Sequence, residues 1–312
     1  MTTTWDYTNV QQYRKHIAEG MPPLIITCAI TGDHQKDENP NLPSSGEEQG
    51  EAAGAVAAAG AQIVHIHGRT AADPTVSTDA AERYYAINAM MRTKSPAIII
   101  DNTQTAVPLS ADQGDLDGVL YRYKSGPLEA KPEVMSLNPG PMTFRAGKAS
   151  GSSVLTTTFD YTLRIANEMR ELNIKPQVFL YHPGHLDILD YLIQHKALAK
   201  PYFVQLVFGQ QSGIATSPEN LLFMVKNLPA ETIFQTCALG LEAIQVNTLA
   251  ILLGGHVRTG MEDCLHYHRG ELTTGNVQLV ERIVRIAKDV GRRVATAQEA
   301  RTMLGIGAPT HY

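Results

Sequence analysis

Two histidines one residue apart, His65 and His67, lie in the apolar run QIVHIH at residues 62–67. On a β-strand, residues i and i+2 face the same side, so both imidazoles would point one way. Paired neutral imidazoles suit a divalent metal, zinc above all. The rival reading is one hydrogen-bonded core histidine and one ring facing a helix. A catalytic zinc needs a third protein ligand and an open position. Glu262 and Asp263, in the stretch RTGMED at residues 258–263, are the candidates. They could instead cap a helix or pair with Arg258. One carboxylate on the metal and the other on the arginine satisfies both readings. A second pair, His182 and His185 in HPGH, does not share a strand face. It reads as a polar loop or a substrate contact before a second metal site. His256 is ambiguous, and His266 and His268 read as ordinary loop residues. The loop GQQSG at residues 209–213, ahead of Ser217-Pro218, could receive a phosphate at a helix start. It matches no Walker or dinucleotide pattern. Gly305-Ile306-Gly307 has no strand before it, which excludes a Rossmann reading.

These residues need a scaffold that brings distant segments together. Eight short apolar runs recur, at residues 24–31, 62–67, 97–103, 134–138, 176–181, 202–209, 232–240 and 255–260. Most are β-branched and continuously apolar, as strands covered on both faces are. Helix-like stretches separate them, at residues 47–60, 78–92, 161–172, 186–195, 217–226, 243–253 and 276–290. Residues 109–131 read as a helix with an enlarged loop. Eight strands alternating with helices predict an α/β fold, a closed (β/α)8 TIM barrel, ahead of an open doubly wound sheet. Residues 1–22 would be an N-terminal extension and residues 23–312 a single catalytic domain. Active sites of such barrels lie at the C-terminal strand ends. The polar residues gather at those ends: Asp33 and His34, His65 to Arg69, Asp101 to Gln104, Ser136 and Asn138, and Arg258 to Asp263.

Composition narrows the function. Apolar residues make up 43% of the 312, enough for a large core, and 31 acidic residues face 26 basic ones. A net charge of −5 and 6% aromatics argue against nucleic-acid binding by a basic face or a stacking platform. The three cysteines, Cys28, Cys237 and Cys264, have no CxxC spacing and form no disulfide framework. No run reaches 18 apolar residues, and the first twenty have no secretory apolar segment. A cytoplasmic, reduced protein with no membrane or nucleic-acid partner is expected.

The motifs HIHGR and GGHVRTGMED, with PLIITCAITG, PEVMSLNPGPMTF and SPENLLFM, resemble the β-keto acid cleavage enzymes from about residue 23 to the C-terminus. The resemblance implies a zinc-bearing (β/α)8 barrel assembled as a homotetramer. It implies condensation of a β-keto acid with acetyl-CoA to give acetoacetate and a new acyl-CoA. His65, His67 and Glu262 take the zinc-ligand positions, and Arg258 and Asp263 those of an arginine–aspartate dyad that assists deprotonation. The alternative is a zinc-barrel lyase or hydrolase that does not use CoA. Ser136 and Asn138 match family donors to the substrate carboxylate, with Ser in place of the usual Thr.

Several positions depart from the family pattern. Asn102-Thr103-Gln104-Thr105 stands where Ser-Thr-Gly-Gly is usual, which casts Asn102 as catalytic and Thr103 as substrate-binding. The loop at residues 209–213 lacks the family's Pro-Gly-Gly. Asp33 or His34 falls near a family glutamate after strand 1. Phe179 replaces a second one on strand 5. In the type member, which acts on 3-keto-5-aminohexanoate, these acids lie near the amino end of the substrate. Loss of the strand 5 acid predicts a neutral acyl tail, with Asp33 and His34 as the remaining tail contacts.

Overall fold

In the computed structural model, which describes residues 9–104, 125–145, 152–155 and 157–312, the eight apolar runs become eight parallel strands. They are β1 Ile26–Ala29, β2 Ile63–Ile66, β3 Ile99–Asn102, β4 Val134–Leu137, β5 Lys175–Leu180, β6 Tyr202–Phe208, β7 Thr232–Ala238 and β8 His256–Thr259. β1 pairs with both β2 and β8, which closes a barrel in sequence order. The open-sheet alternative is thereby excluded. Helices follow the strands: α1 Gly46–Ala59, α2 Ala81–Lys94, α3 Ser125–Glu129, α4 Phe159–Glu171, α5 His185–Gln194, α6 Pro218–Lys226, α7 Ala243–Leu252 and α8 Asn276–Asp289. Most of the enlarged loop expected at residues 109–131 lies outside the described residues. A helix at Val10–Glu19, with no buried residue, precedes the barrel.

Alternation of side chains divides the core in two. Val64, Ile66, Ile100, Met135, Val178 and Val204 point outward and join the helices in the main apolar cluster. Ile25, Ile63, Ile99, Val134, Phe203 and Ile233 form an inner cluster with Ala295, Ala300 and Leu304. The C-terminal helix Ala297–Leu304 thus plugs the N-terminal end of the barrel, opposite the mouth. Truncating Phe203 of β6, which packs in the same cluster as that helix, would cost about 3–5 kcal/mol. Above it the inward positions turn polar. Thr27, Asp101, Gln177 and Gln235 are all fully buried. Thr27 Oγ1 donates to Gln235 Oε1 at 2.9 Å, and Gln235 donates in turn to Gln205. An apolar plug below and a polar stratum above fix which end can carry chemistry.

Two glycines open the mouth to an acid. Gly260 adopts φ +140°, and a Cβ there would lie 2.1 Å from the Ala29 carbonyl oxygen. Only glycine lets the chain leaving β8 cross so close to β1. Glu262 N then donates to Ala29 O at 3.1 Å. Gly32, at φ +58°, leaves room for Glu262, whose Cγ would sit 2.5 Å from an added Cβ. Two hairpins were not expected from the sequence: Met142–Arg145 with Ser152–Leu155, and His266–His268 with Glu271–Leu272.

Candidate metal centre and active site

β2 delivers His65 and His67 to the barrel interior, and the turn after β8 delivers Glu262. His65 Nε2 lies 3.6 Å and His67 Nε2 3.4 Å from the same Glu262 oxygen, Oε1. One ligand atom from each of the three residues falls within 4.8 Å of the others. Glu262 Oε2 is buried and has no hydrogen-bond partner among the described residues. Two imidazole nitrogens and one carboxylate, facing inward around one point, are the donor set of a catalytic zinc site with room for further ligands. The residues therefore fit a divalent metal.

Each imidazole is also fixed from behind. Asp101, on the adjacent β3, is the register partner of His65. Its Oδ2 lies 2.7 Å from His65 Nδ1, with both side chains buried. Asp33 Oδ1 lies 3.3 Å from His67 Nδ1 and also accepts from Ser77 Oγ at 3.1 Å. A carboxylate on Nδ1 holds the proton there and turns Nε2 toward the metal position. Arg69, the arginine of HIHGR, is fully buried. It donates to the carbonyls of Gly32 at 2.7 Å and His34 at 2.9 Å, which pins the loop carrying Asp33.

The electrostatics match. Burial alone would lower the basicity of His67, but the Glu262 and Asp33 carboxylates raise it to about 10. Burial would raise the Glu262 carboxyl, yet Arg258, His67 and His65 hold it well below the usual carboxylate range. His67 in turn holds Asp33 down to about 2. In the metal-free protein, negative charge at this point is met by a proton on His67. A divalent cation would replace that proton.

Beside the donor set, Arg258 grips Asp263 with two bonds, Nε to Oδ2 at 3.0 Å and Nη2 to Oδ1 at 2.8 Å. Arg258 Nη2 also donates to Glu262 Oε1. Its Nη1 is buried without a partner among the described residues. The Cys237 thiol hydrogen-bonds Asp263, and burial pushes it well above its usual range, so it stays protonated.

Two adjoining cavities share His67, Phe179, Tyr181, Asp33 and Glu262. The smaller, about 200 Å³, reaches Thr103, Ser136 and Asn138. Ser136 Oγ accepts from Gln104 N at 2.6 Å, which leaves its hydroxyl proton for another acceptor. Tyr181 donates its hydroxyl to Asn138 Oδ1 at 2.7 Å. Gln104, bulkier than glycine, folds back so that its Oε1 accepts from Asn138 N at 2.7 Å. The larger cavity, about 570 Å³, is walled by Phe179, Tyr181, Val207 and Cys237 and opens past His34. The Arg258 guanidinium lies 5.8 Å from the centre of the Phe179 ring.

Of the residues named from sequence, His65, His67, Glu262, Arg258, Asp263, Asp33, His34, Thr103, Ser136, Asn138 and Phe179 surround these two cavities. Asn102 does not. It is the outward-facing neighbour of Asp101, and its Nδ2 donates to Pro127 O at 3.1 Å, in the helix layer. The expected catalytic role of Asn102 is therefore corrected: a strand reverses its facing at each residue, and the inward group is Asp101. Asp33 lines both cavities and also bonds His67 and Ser77. His182 and His185 form a ring pair, centroids 3.9 Å apart, away from both cavities. His185 Nδ1 accepts from Tyr181 N at 3.2 Å. Asp101, Arg69 and Tyr181 were not singled out. Asp101 had a signal, a lone acid in the apolar run AIIIDN.

Known proteins align with this chain along nearly its whole length. The family model described as beta-keto acid cleavage enzyme matches residues 23–306. A 3-keto-5-aminohexanoate cleavage enzyme of Acetoanaerobium sticklandii is 32% identical over 92% of this chain and 99% of its own. A 3-oxoadipate:acetyl-CoA acetyltransferase of Cupriavidus necator is 27% identical over 91% of this chain and 95% of its own. The solved apo structure of ObcA shares the fold, with a TM-score of 0.69 at 19% identity over 86% of this chain and 66% of its own.

Proposed function

The chain belongs to the β-keto acid cleavage enzyme family, and from that premise we propose a zinc-dependent enzyme that condenses a β-keto acid with acetyl-CoA, giving acetoacetate and an acyl-CoA. The names of the relatives support acetyl-CoA as co-substrate. The observation that carries the reading is the His65–His67–Glu262 cluster lying directly beside the Arg258–Asp263 pair. Zinc held by His65, His67 and Glu262 would supply Lewis acidity toward the keto oxygen.

The remaining work falls to side chains of the chain itself. Ser136 and Thr103 offer hydroxyl protons to the substrate carboxylate in the smaller cavity, beside the Asn138 amide. Asp263 takes a proton from the carbon between carboxylate and ketone. Its oxygens are steered by the two Arg258 bonds, and Arg258 offsets the charge that develops. The resulting carbanion forms a bond to the acetyl carbonyl carbon, and the CoA thiolate leaves. That thiolate then attacks the original keto carbon. The bond between it and the former α-carbon breaks, and the electron pair stays with the acetoacetate fragment. Asp263 returns its proton to that carbon, so every atom is accounted for.

The acyl tail points into the larger cavity. Its wall of Phe179, Tyr181 and Val207 is apolar, and of the acids that also line the cavity Asp33 is paired with His67 and Glu38 with His34. A neutral tail gains about 25 cal/mol for each Å² of apolar surface buried there. The family reading also carries a homotetramer and a cytoplasmic setting, with residues 1–22 as an extension to one catalytic domain. Exposed Leu222, Phe223 and Leu241 are surfaces that an assembly would cover.

The test is a panel of β-keto acids with acetyl-CoA and zinc-loaded protein, reading acetoacetate. Acetoacetate should require acetyl-CoA and vanish on chelation. In His67→Ala, activity and bound zinc should disappear together. Consumption of a β-keto acid at the same rate without acetyl-CoA would make this a CoA-independent lyase. Full zinc retention in His67→Ala would remove the metal assignment.

A further inference from the structure

The cavities of this protein differ sharply in charge. The larger active-site cavity carries Asp33, Asp37, Glu38, Glu262 and Asp263. A groove of about 660 Å³ between α1 and α8 carries Glu47, Glu48, Glu51 and Glu281 against Lys36. A shallow depression on α4 carries Asp160, Glu168 and Glu171 against Arg164. One pocket of about 220 Å³ is different. Its charged lining is Arg269 and Arg282, joined by the imidazoles of His266 and His268, and no carboxylate among the described residues lines it. In a chain of net charge −5, that is a local reversal of sign.

The pocket is walled by the loops after β7 and β8, where (β/α)8 barrels often hold a phosphate. It also abuts the site. Leu239, Arg258 and Asp263 line the larger active-site cavity, and the next residues, Gly240, Thr259 and Cys264, line this pocket. Gly240 N donates to Asp263 O at 2.8 Å. The partition is one residue thick. The floor is firm: the Arg282 guanidinium lies 4.5 Å from the centre of the Tyr267 ring and donates to Tyr267 O at 2.7 Å. Arg285 donates to the Tyr267 hydroxyl at 3.0 Å. Arg269, by contrast, is exposed and has no hydrogen bond or ion pair among the described residues.

We propose that this pocket, with Arg269 as its principal contact, binds the phosphate-bearing nucleotide end of acetyl-CoA while the thioester reaches the metal site. The inference rests on acetyl-CoA being the co-substrate. That molecule carries a diphosphate and a further ribose phosphate, and these anions must be met by cations. The acidic active-site cavity and the acidic groove offer them no welcome, whereas guanidinium groups suit phosphates.

The experiment compares acetyl-CoA with the acetyl thioester of N-acetylcysteamine, which has the same reacting group and no phosphate. Loss of one charge-assisted contact corresponds to roughly tenfold in affinity. Arg269→Ala should therefore raise KM for acetyl-CoA about tenfold, Arg269→Glu should raise it further, and Arg269→Lys should recover part of the loss. The effect should be confined to the phosphate-bearing thioester and to low and moderate salt. An acetyl-CoA KM within twofold of wild type in Arg269→Glu would overturn the proposal. So would an equal loss with the truncated thioester. Calorimetric titration with coenzyme A separates the two readings. If no β-keto acid yields acetoacetate but coenzyme A binds wild type and not Arg269→Glu, the reaction is wrong and the pocket stands. If acetoacetate forms and coenzyme A binds both proteins alike, the pocket is wrong and the reaction stands.

Discussion

Replacing Asp101 by Asn should weaken metal binding without weakening the fold. The perturbation is nearly isosteric and removes one charge from a fully buried acceptor 2.7 Å from His65 Nδ1. A hydrogen bond to a charged group is worth roughly 1–1.5 kcal/mol more than a neutral one, which is about tenfold in affinity. The amide has a second option. If it turns its NH2 toward Nδ1, the ring must carry its proton on Nε2, the atom that would hold the metal. The loss then reaches about a hundredfold, the upper end for a partner behind a metal-ligating histidine. Asp101 Oδ1 is buried without a partner among the described residues. Neutralising it removes a desolvated charge, so the metal-free protein should melt at the same temperature or higher. The assay is zinc competition with a chromophoric chelator, alongside melting of the metal-free protein. A zinc Kd within twofold of wild type would refute the reasoning. So would a fall in metal-free melting temperature large enough to make Asp101 a structural residue.

Asp263→Asn should keep zinc and melting temperature near wild type while lowering kcat by roughly 10²-fold or more, the usual scale for lost proton transfer; near-normal turnover would assign Asp263 a structural role. Metal binding should release close to one proton at neutral pH, because His67 in the metal-free protein is held up at about 10. Apparent zinc affinity should then rise about tenfold per pH unit until that value is reached, and titrations in buffers of different ionisation enthalpy count the proton directly. The sign for folding follows from the same shift. A raised histidine contributes stability below its unfolded value of about 6.5, and that contribution fades as pH climbs toward about 10. Metal-free protein should lose stability across that window, and zinc-loaded protein, whose His67 carries no such proton, should not; parallel pH profiles would contradict the assignment.

The barrel was legible because its strands are covered on both faces and so carry continuous apolar runs, with polar residues confined to one end. The HxH pair was legible because period two is a local property. Glu262 was legible as a carboxylate at the closing strand, although its approach depends on Gly32 and Gly260, whose φ values no composition reveals. What failed was one residue of register. Asn102 and Asp101 are neighbours in sequence, yet one faces Pro127 and the other His65. Choosing between them requires knowing which β3 residue lies beside His65, and that depends on the stagger between β2 and β3. Asp33 was legible only in part. Its position near the tail cavity was visible, but its partner 34 residues away was not. The two added hairpins lie in loops, where no periodicity announces them.

The order of strands around the barrel divides labour in space. His65, His67, Asp101, Asp33, Glu262, Arg258 and Asp263 all come from β1, β2, β3 and β8 or the turns that leave them, a contiguous arc in the closed ring. The wall of the larger cavity, Phe179, Tyr181, Val207 and Cys237, comes from the opposite arc of β5, β6 and β7. Met142, contributed by a hairpin outside the barrel, packs against that wall. The two halves touch where Cys237 hydrogen-bonds Asp263 and where Phe179 lies beside Arg258, and away from those contacts they can drift separately. A lineage can exchange one acyl tail for another by changing residues on the recognition arc, while the reaction centre across the barrel is inherited intact. For an engineer the same division marks out a library: randomising Met142, Phe179 and Val207 samples new substrates from a scaffold whose metal ligands and base remain untouched.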